Sequence, residues 1–312
     1  MNYCNYKYGI LFVLIMLTLS TTRISFSSIL AEFNEEKLLI FAPVIDELLK
    51  EGVDSNFIYL TIANSNTKFD ERYVRINVNN FTSSPDYSHN WNSKSVLKTS
   101  EFIKNNNSIL ELAELNYGVP KEIIASILFI ETKHGKYLGN NNLLSVYYST
   151  ALCNQDAFIA KNKQALKEKF SGSLEELETL NKKIDERSIK KSKWAIQQLK
   201  ALAKIEKLYG ESISDLCGSW AGAFGISQFI PTSYLAWAID GNNDGKINLF
   251  ETTDAIFSVA NYLKSNGWNT DSLSNRNAVF HYNNSSAYVD AVFKLANLSL
   301  AHYHKSNELP EE

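Results

Sequence analysis

Cysteine is scarce here, with three in 312 residues, and Cys4 stands ahead of an apolar run rather than after one. Cys4 therefore cannot be the lipid-bearing cysteine that follows such a run. Cys153 and Cys217 are left either to bridge in an oxidising compartment or to stay as free thiols. A chain of this length buries enough core to need no staple. An excess of base is also lacking: 31 Lys and Arg stand against 34 Asp and Glu. Without residues 1–28 the balance is 29 against 34, a net of −5, which argues against nucleic acid as a partner. The apolar run Ile10–Leu19 has only ten residues, too short to span a bilayer comfortably. Strand signals are few, and no internal repeat is evident.

The N-terminus reads as a secretory signal peptide over residues 1–27. Lys7 precedes the apolar run, and Ser25-Phe26-Ser27 offers a cleavage site before Ser28. An uncleaved membrane anchor is the alternative. The expected location is outside the cytoplasm, in the periplasm.

Apolar content of 45% and aromatic content of 12% indicate a folded chain. Residues 33–51 have helical periodicity, with Pro43 expected to interrupt it. Residues 61–95 are rich in Asn and Ser yet carry aromatics, and read as irregular but ordered. One helix is expected from about 96 to 116. Another should begin at Pro120 and end at Gly135. Residues 155–210 are rich in Lys and Glu and read as an exposed helical pair around Ser171-Gly172-Ser173. Residues 252–268 and 286–303 give two more amphipathic helices.

Glu131 stands out against this background. It follows Ile127 by four residues and Ile124 by seven, so the three share one face of the 120–135 helix. A carboxylate is thus placed on the inward side, in the last turn. Desolvation and the negative helix end both disfavour its anion, so a raised pKa is expected, suited to a proton donor. A glutamate curling out to Lys133 or Lys136 is the plainer reading of the same pattern.

Two segments add chemistry. Residues 218–234, GSWAGAFGISQFIPTSY, combine three glycines with polar and aromatic residues, a composition suited to a groove for a polymer. Residues 240–251, DGNNDGKINLFE, satisfy a calcium-loop pattern. Asp240, Asn242 and Asp244 take positions 1, 3 and 5, Gly245 the sharp turn, Lys246 a carbonyl and Glu251 the twelfth position. An Asx-Gly turn without metal is the alternative.

Glu131 within IETKHGKYLG, the glycine-rich run, the calcium-type loop and YNNSSAYVDAV at 282–292 resemble, in this order, the B-type lytic murein transglycosylases of glycoside hydrolase family 103. The likeness spans roughly residues 33–300. It implies a mainly α, lysozyme-like catalytic region over residues 28–312, with an EF-hand-like loop at 240–254 and little β structure. It further implies cleavage of the β-1,4 bond between N-acetylmuramic acid and N-acetylglucosamine, leaving 1,6-anhydromuramic ends, with Glu131 as acid and then base. Ordinary glycosidases use two carboxylates, and none of the glycine-rich, calcium-type or YNN segments supplies an obvious second one outside the proposed metal loop. The resemblance assigns substrate contacts to Ser219, Gln228, Tyr262, Tyr282, Asn283, Tyr288 and, more loosely, Tyr87. It makes Asp254 the closing ligand of a structural Ca²⁺, with Glu251 as the alternative. No organic cofactor is implied, glycan strands are the expected partner, and a monomer is expected. The chain departs from the family in two places. His134 replaces a tryptophan, where its titration would shift the pH optimum, and residues 155–210 lengthen the stretch between Glu131 and Ser219. Competing readings are a hydrolytic muramidase and a calcium-dependent wall-binding protein without turnover.

Overall fold

A computed structural model gives the structure of residues 35–78, 86–209 and 213–308. The signal-peptide reading at 1–27 lies outside the described residues. Twelve α-helices account for most of them. They are α1 (Glu35–Lys50), α2 (Ser55–Ala63), α3 (Ser93–Asn105), α4 (Asn107–Tyr117), α5 (Lys121–Thr132) and α6 (Leu143–Ala151). There follow α7 (Asp156–Lys169), α8 (Leu174–Tyr209), α9 (Pro231–Trp237), α10 (Thr252–Ser265), α11 (Ser272–Tyr282) and α12 (Ser286–Glu308). Strand structure among the described residues is one antiparallel pair, β1 (Asn141–Asn142) on β2 (Cys217–Gly218).

The centre of the fold is α5. Its Ile123, Ile124, Ile127, Leu128 and Phe129 are all buried, each contributing roughly 1.5–3 kcal/mol of apolar transfer. Helices α3, α10 and α12 pack around it. A helix apolar on most faces must be enclosed in this way.

Several boundaries differ from the sequence expectations for physical reasons. Pro43 does not interrupt α1. The carbonyl it leaves without a partner belongs to exposed Leu39, where water can satisfy it. The helix expected over 96–116 is two helices, broken at Asn106, whose backbone and side-chain amides both donate to the Phe102 carbonyl and close the first helix. Helix α5 stops at Thr132, three residues before Gly135, because Lys133 and His134 both take left-handed backbone (φ 54° and 58°). Their amides donate to the Phe129 and Leu128 carbonyls and satisfy the helix end. Helices α7 and α8 occupy the charged 155–210 stretch, but α8 is no exposed appendage. Its Ala195, Ile196, Leu199, Leu202 and Ile205 enter the main core. Cys153 and Cys217 are both free: Cys153 is buried and donates its thiol to the Ser188 carbonyl, while Cys217 sits in β2.

Candidate active site

Glu131 ends the buried stripe of α5 and turns its carboxyl into a tyrosine cluster. Tyr288 of α12 donates its hydroxyl to Glu131 Oε1 at 2.6 Å. Burial pushes the Glu131 carboxyl up to about 7; the Tyr288 hydrogen bond and the Lys133 charge oppose that rise. Lys133 is a charged neighbour acting on it. Burial, and then the Glu131 charge, hold the Tyr288 and Tyr282 hydroxyls well above their ordinary values. Both therefore remain hydrogen-bond donors throughout the neutral range.

Four other residues named from sequence join the cluster. Tyr87 packs edge-on against Tyr288 with ring centroids 5.7 Å apart, and its hydroxyl is hydrogen-bonded to the Asn283 side chain. Tyr282 donates to the Ser227 carbonyl at 2.5 Å and meets Tyr262 edge-on at 4.8 Å. Tyr262 in turn donates to the His281 carbonyl at 2.8 Å and packs against Trp237 at 4.6 Å. Tyr262 is thus a buried prop behind Tyr282, with its hydroxyl already committed.

The glycine-rich run forms tight turns next to this cluster. Its glycines serve internal packing more than an open groove floor. A Cβ on Gly222 (φ +87°) would lie 2.4 Å from the Tyr147 hydroxyl, and one on Gly225 (φ +74°) 2.4 Å from Leu249 Cβ. Ser219 does not hydrogen-bond to the tyrosines; its hydroxyl accepts the Ala223 amide at 3.1 Å, which fixes the turn. Gln228 takes left-handed backbone (φ 51°) and spends its side-chain amide hydrogens on the Gly225 and Leu138 carbonyls, at 2.9 and 3.4 Å. Its carbonyl oxygen makes no hydrogen bond recorded among the described residues and is left to accept from a ligand. Ser227, between them, has a buried hydroxyl without a partner.

Lys133 and Asn90 belong to the site and were not legible as a pair. The Lys133 ammonium donates to Asn90 Oδ1 and lies over the Phe129 ring at 4.2 Å, so one cation is fixed beside the acid. A separation of 43 residues leaves no local signal for this contact. His134 corrects an expectation. Its ring stacks on Phe102 at 3.9 Å, and Nε2 lies 3.0 Å from the Ala125 carbonyl. Burial pushes its pKa down to about 4, so the imidazole is neutral at ordinary pH and sets no limb of a neutral pH profile. Trp220, beside Ser219 in the glycine-rich run, is 75% exposed, and no sequence pattern marks it as a surface residue.

In the calcium-type loop the Asp240 carboxylate accepts the Gly245 and Asp244 amides, at 2.8 and 3.2 Å. Asn242 Oδ1 accepts the Asp244 amide, and Asp244 accepts that of Lys246. Asp254 is buried behind the loop and accepts from Gly241 at 2.8 Å and Asn248 at 2.6 Å. Glu251 instead caps α10 by accepting the Asp254 amide. Among the described residues no group of three or more His, Cys, Asp or Glu side chains is gathered as a metal site. The loop's oxygen donors still fit a hard cation. Burial raises the Asp254 pKa, and the Glu251 and Asp240 charges raise it further, a crowding of like charge that a divalent ion would relieve.

Residues 41–273 match the family described as Transglycosylase SLT domain, three quarters of the chain. The chain belongs to this family. A relative from Escherichia coli K12, membrane-bound lytic murein transglycosylase B, is 35% identical over 152 residues, covering 49% of this chain and 33% of that protein. The chain thus aligns with about a third of its curated relative. The E. coli lytic transglycosylase Slt35, solved with calcium, superposes with a TM-score of 0.64 at 20% identity, covering 85% of this chain and 94% of that one. Pseudomonas aeruginosa SltB3, in complex with NAG-anhNAM-pentapeptide, gives 0.61 at 22% identity over 82% of this chain and 78% of that one. These likenesses establish the mainly helical, lysozyme-like transglycosylase fold.

The family match takes in Glu131, the glycine-rich run and the calcium-type loop. It ends before Tyr282, Asn283 and Tyr288, so half of the tyrosine cluster is contributed from beyond it. Among the described residues of this transglycosylase-family chain, no helix is long and apolar enough to cross a membrane.

Proposed function

We propose that the chain is a lytic transglycosylase that cuts the MurNAc-β-1,4-GlcNAc bond of peptidoglycan and leaves 1,6-anhydromuramic ends. The observation that carries this reading is Glu131: an acid raised to about 7 by burial, held by Tyr288 and set beside the Lys133 charge. Such an acid is protonated in a useful fraction at neutral pH and can protonate the glycosidic oxygen as the C1–O bond breaks. The carboxylate left behind takes the proton of the muramic C6 hydroxyl as that oxygen closes on C1. The Tyr288 hydroxyl and the Lys133 charge favour the carboxylate, so they stabilise the acid after it has given up its proton. A second protein carboxylate is not required, because the substrate's acetamido oxygen can support the cationic carbon.

In this reading Tyr87, Asn283 and Gln228 contact the sugars, Ser219 fixes the turn at the cleft wall, and Tyr282 and Tyr262 hold that wall against the acid. Asp240, Asn242, Asp244, the Lys246 carbonyl and Asp254 would hold a Ca²⁺ ion, which supplies charge neutralisation and ties the groove segment to α10. The protein would work outside the cytoplasm on the cell envelope, as a monomer.

The test is digestion of purified sacculi by the wild-type chain and by Glu131→Gln, with product masses. Anhydro ends lost in the variant support the reading. Hydrated ends would make the protein a muramidase, and equal release by both chains would remove Glu131 from the chemistry.

A further inference from the structure

A second groove lies away from the tyrosine cluster. Its volume is about 1130 Å³, and it is walled by residues 71–78, by α7 and by α8, with Trp220 at its edge. Helices α7 and α8 are the stretch that lengthens this chain between Glu131 and Ser219. They hold the 73–77 segment by its backbone. Asn162 of α7 accepts the Ile76 amide at 2.8 Å and donates to the Val74 carbonyl at 2.9 Å. Lys191 of α8 donates to the Tyr73 and Arg75 carbonyls at 2.9 and 3.1 Å, and Arg187 to that of Asn77. A segment held from both sides gives a groove with fixed walls.

The charge of this groove runs against that of the whole. Seven lysines and arginines line it against two glutamates, in a chain whose net charge is −3. Four of these cations are engaged: Lys191 and Arg187 with backbone carbonyls, Arg72 with Asp70 and Lys161 with Glu71. Lys169 and Lys190 are exposed, and neither makes an ion pair or hydrogen bond among the described residues. Exposed Arg75 shares Asp70 with Arg72. Tyr73, Phe158, Trp194 and Trp220 supply apolar surface between the charges. A cationic rim over aromatic walls suits a flexible polyanion with apolar stretches between its charges, and in the peptidoglycan reading that ligand is the peptide. The volume exceeds what a single small metabolite fills and suits a short peptide. Position adds to this: Trp220 directly follows Ser219 in the glycine-rich wall, and Tyr73 donates to Asn141 of β1, which pairs with Gly218. Through Trp220 the groove adjoins the turn that carries Ser219.

We infer that this groove binds the carboxylate-bearing peptide attached to the glycan strand. Lys169 and Lys190 pair with its carboxylates, and Trp194 and Trp220 cover its aliphatic parts. The inference rests on the peptidoglycan reading above and extends it to the peptide.

The experiment is a titration of the full chain carrying Glu131→Gln, followed by tryptophan fluorescence, with stem peptide released from sacculi. The same peptide with its carboxylates converted to carboxamides and a single-stranded oligonucleotide serve as comparison probes. The expected result is a saturable fluorescence change with the carboxylate peptide, at least tenfold weaker binding of the carboxamide form, and at least tenfold loss in K169E/K190E. That double variant should keep the parental melting temperature and, with Glu131 restored, cut peptide-free glycan at the parental rate. Absence of saturable binding, equal binding of the carboxamide, or an unchanged affinity in K169E/K190E would overturn the inference. So would tighter binding of the oligonucleotide, which would make the groove a general polyanion surface. Peptide binding in a protein that never cuts glycan would defeat the catalytic reading and leave this one standing.

Discussion

The Tyr288 hydroxyl donates to Glu131 Oε1 across 2.6 Å, although 157 residues separate the two in sequence. One residue lies in the last turn of the central helix, and the other in the first turn of the last helix, which packs along it. The contact fixes the carboxyl's orientation and favours its anion. In Tyr288→Phe the Glu131 pKa should rise above 7, because the hydrogen bond that lowers it is gone. A hydrogen bond to a charged group contributes about 1.5–3 kcal/mol, so turnover should fall by about 10- to 100-fold. The alkaline limb of the pH–rate profile should also move upward. A parental profile in Tyr288→Phe would mean that the tyrosine only packs.

Removing the ionisable acid should stabilise the fold on the alkaline side. The folded pKa of Glu131 lies above the unfolded value, so its contribution is fully present below pH 4.5 and is lost as pH rises through about 7. Glu131→Gln does not ionise and avoids that loss. Glu131 is only partly buried, so the expected gain is about 1–2 kcal/mol at pH 8 and near zero at pH 4. Thermal melts of both chains across this range check it, and a constant difference in melting temperature would contradict it.

His134 should be silent in the pH profile. Its ring is neutral above about pH 4 and lies against Phe102. His134→Phe keeps a flat ring but loses the contact to the Ala125 carbonyl, so a stability cost of about 1 kcal/mol is expected. The pH optimum should be unchanged between pH 5 and 8. A shifted optimum would return this histidine to the site.

Much of this was legible from short-range pattern. Glu131 was visible because Ile124, Ile127 and Glu131 share one helix face, and that face is the buried one. The calcium-type loop was visible because its donors fall within fifteen residues. Other features depend on distant partners. Asn90 under the Lys133 ammonium and Phe102 under the His134 ring come from 43 and 32 residues upstream, and no periodicity marks them. Helix α6 (LLSVYYSTA) is rich in Ser and Tyr and lacks a polar stripe, since both its flanks are buried. The glycines were read as a groove floor, while Gly222 and Gly225 are set by the Tyr147 ring and Leu249 packing onto their α-carbons. Pro43 leaves α1 unbroken because the freed carbonyl faces water, which sequence does not show.

Calcium should bind the 240–254 loop and stabilise the fold. With free ion at about 100 times the dissociation constant, linkage gives about 2.7 kcal/mol, a rise of several degrees in melting temperature. Asp254→Asn removes the buried carboxylate and should abolish the calcium dependence, whereas Glu251→Gln keeps a capping oxygen and should retain it. A melting temperature indifferent to calcium and to chelator would make the loop a turn and nothing more.

The most direct measurement is the mass spectrum of muropeptides released from sacculi by the wild-type chain beside Glu131→Gln. Predicted are disaccharide peptides lighter by one water than hydrolysed ones, at ends that disappear when Glu131 is replaced. Hydrated ends, or anhydro ends that persist in Glu131→Gln, would contradict the single-acid mechanism outright.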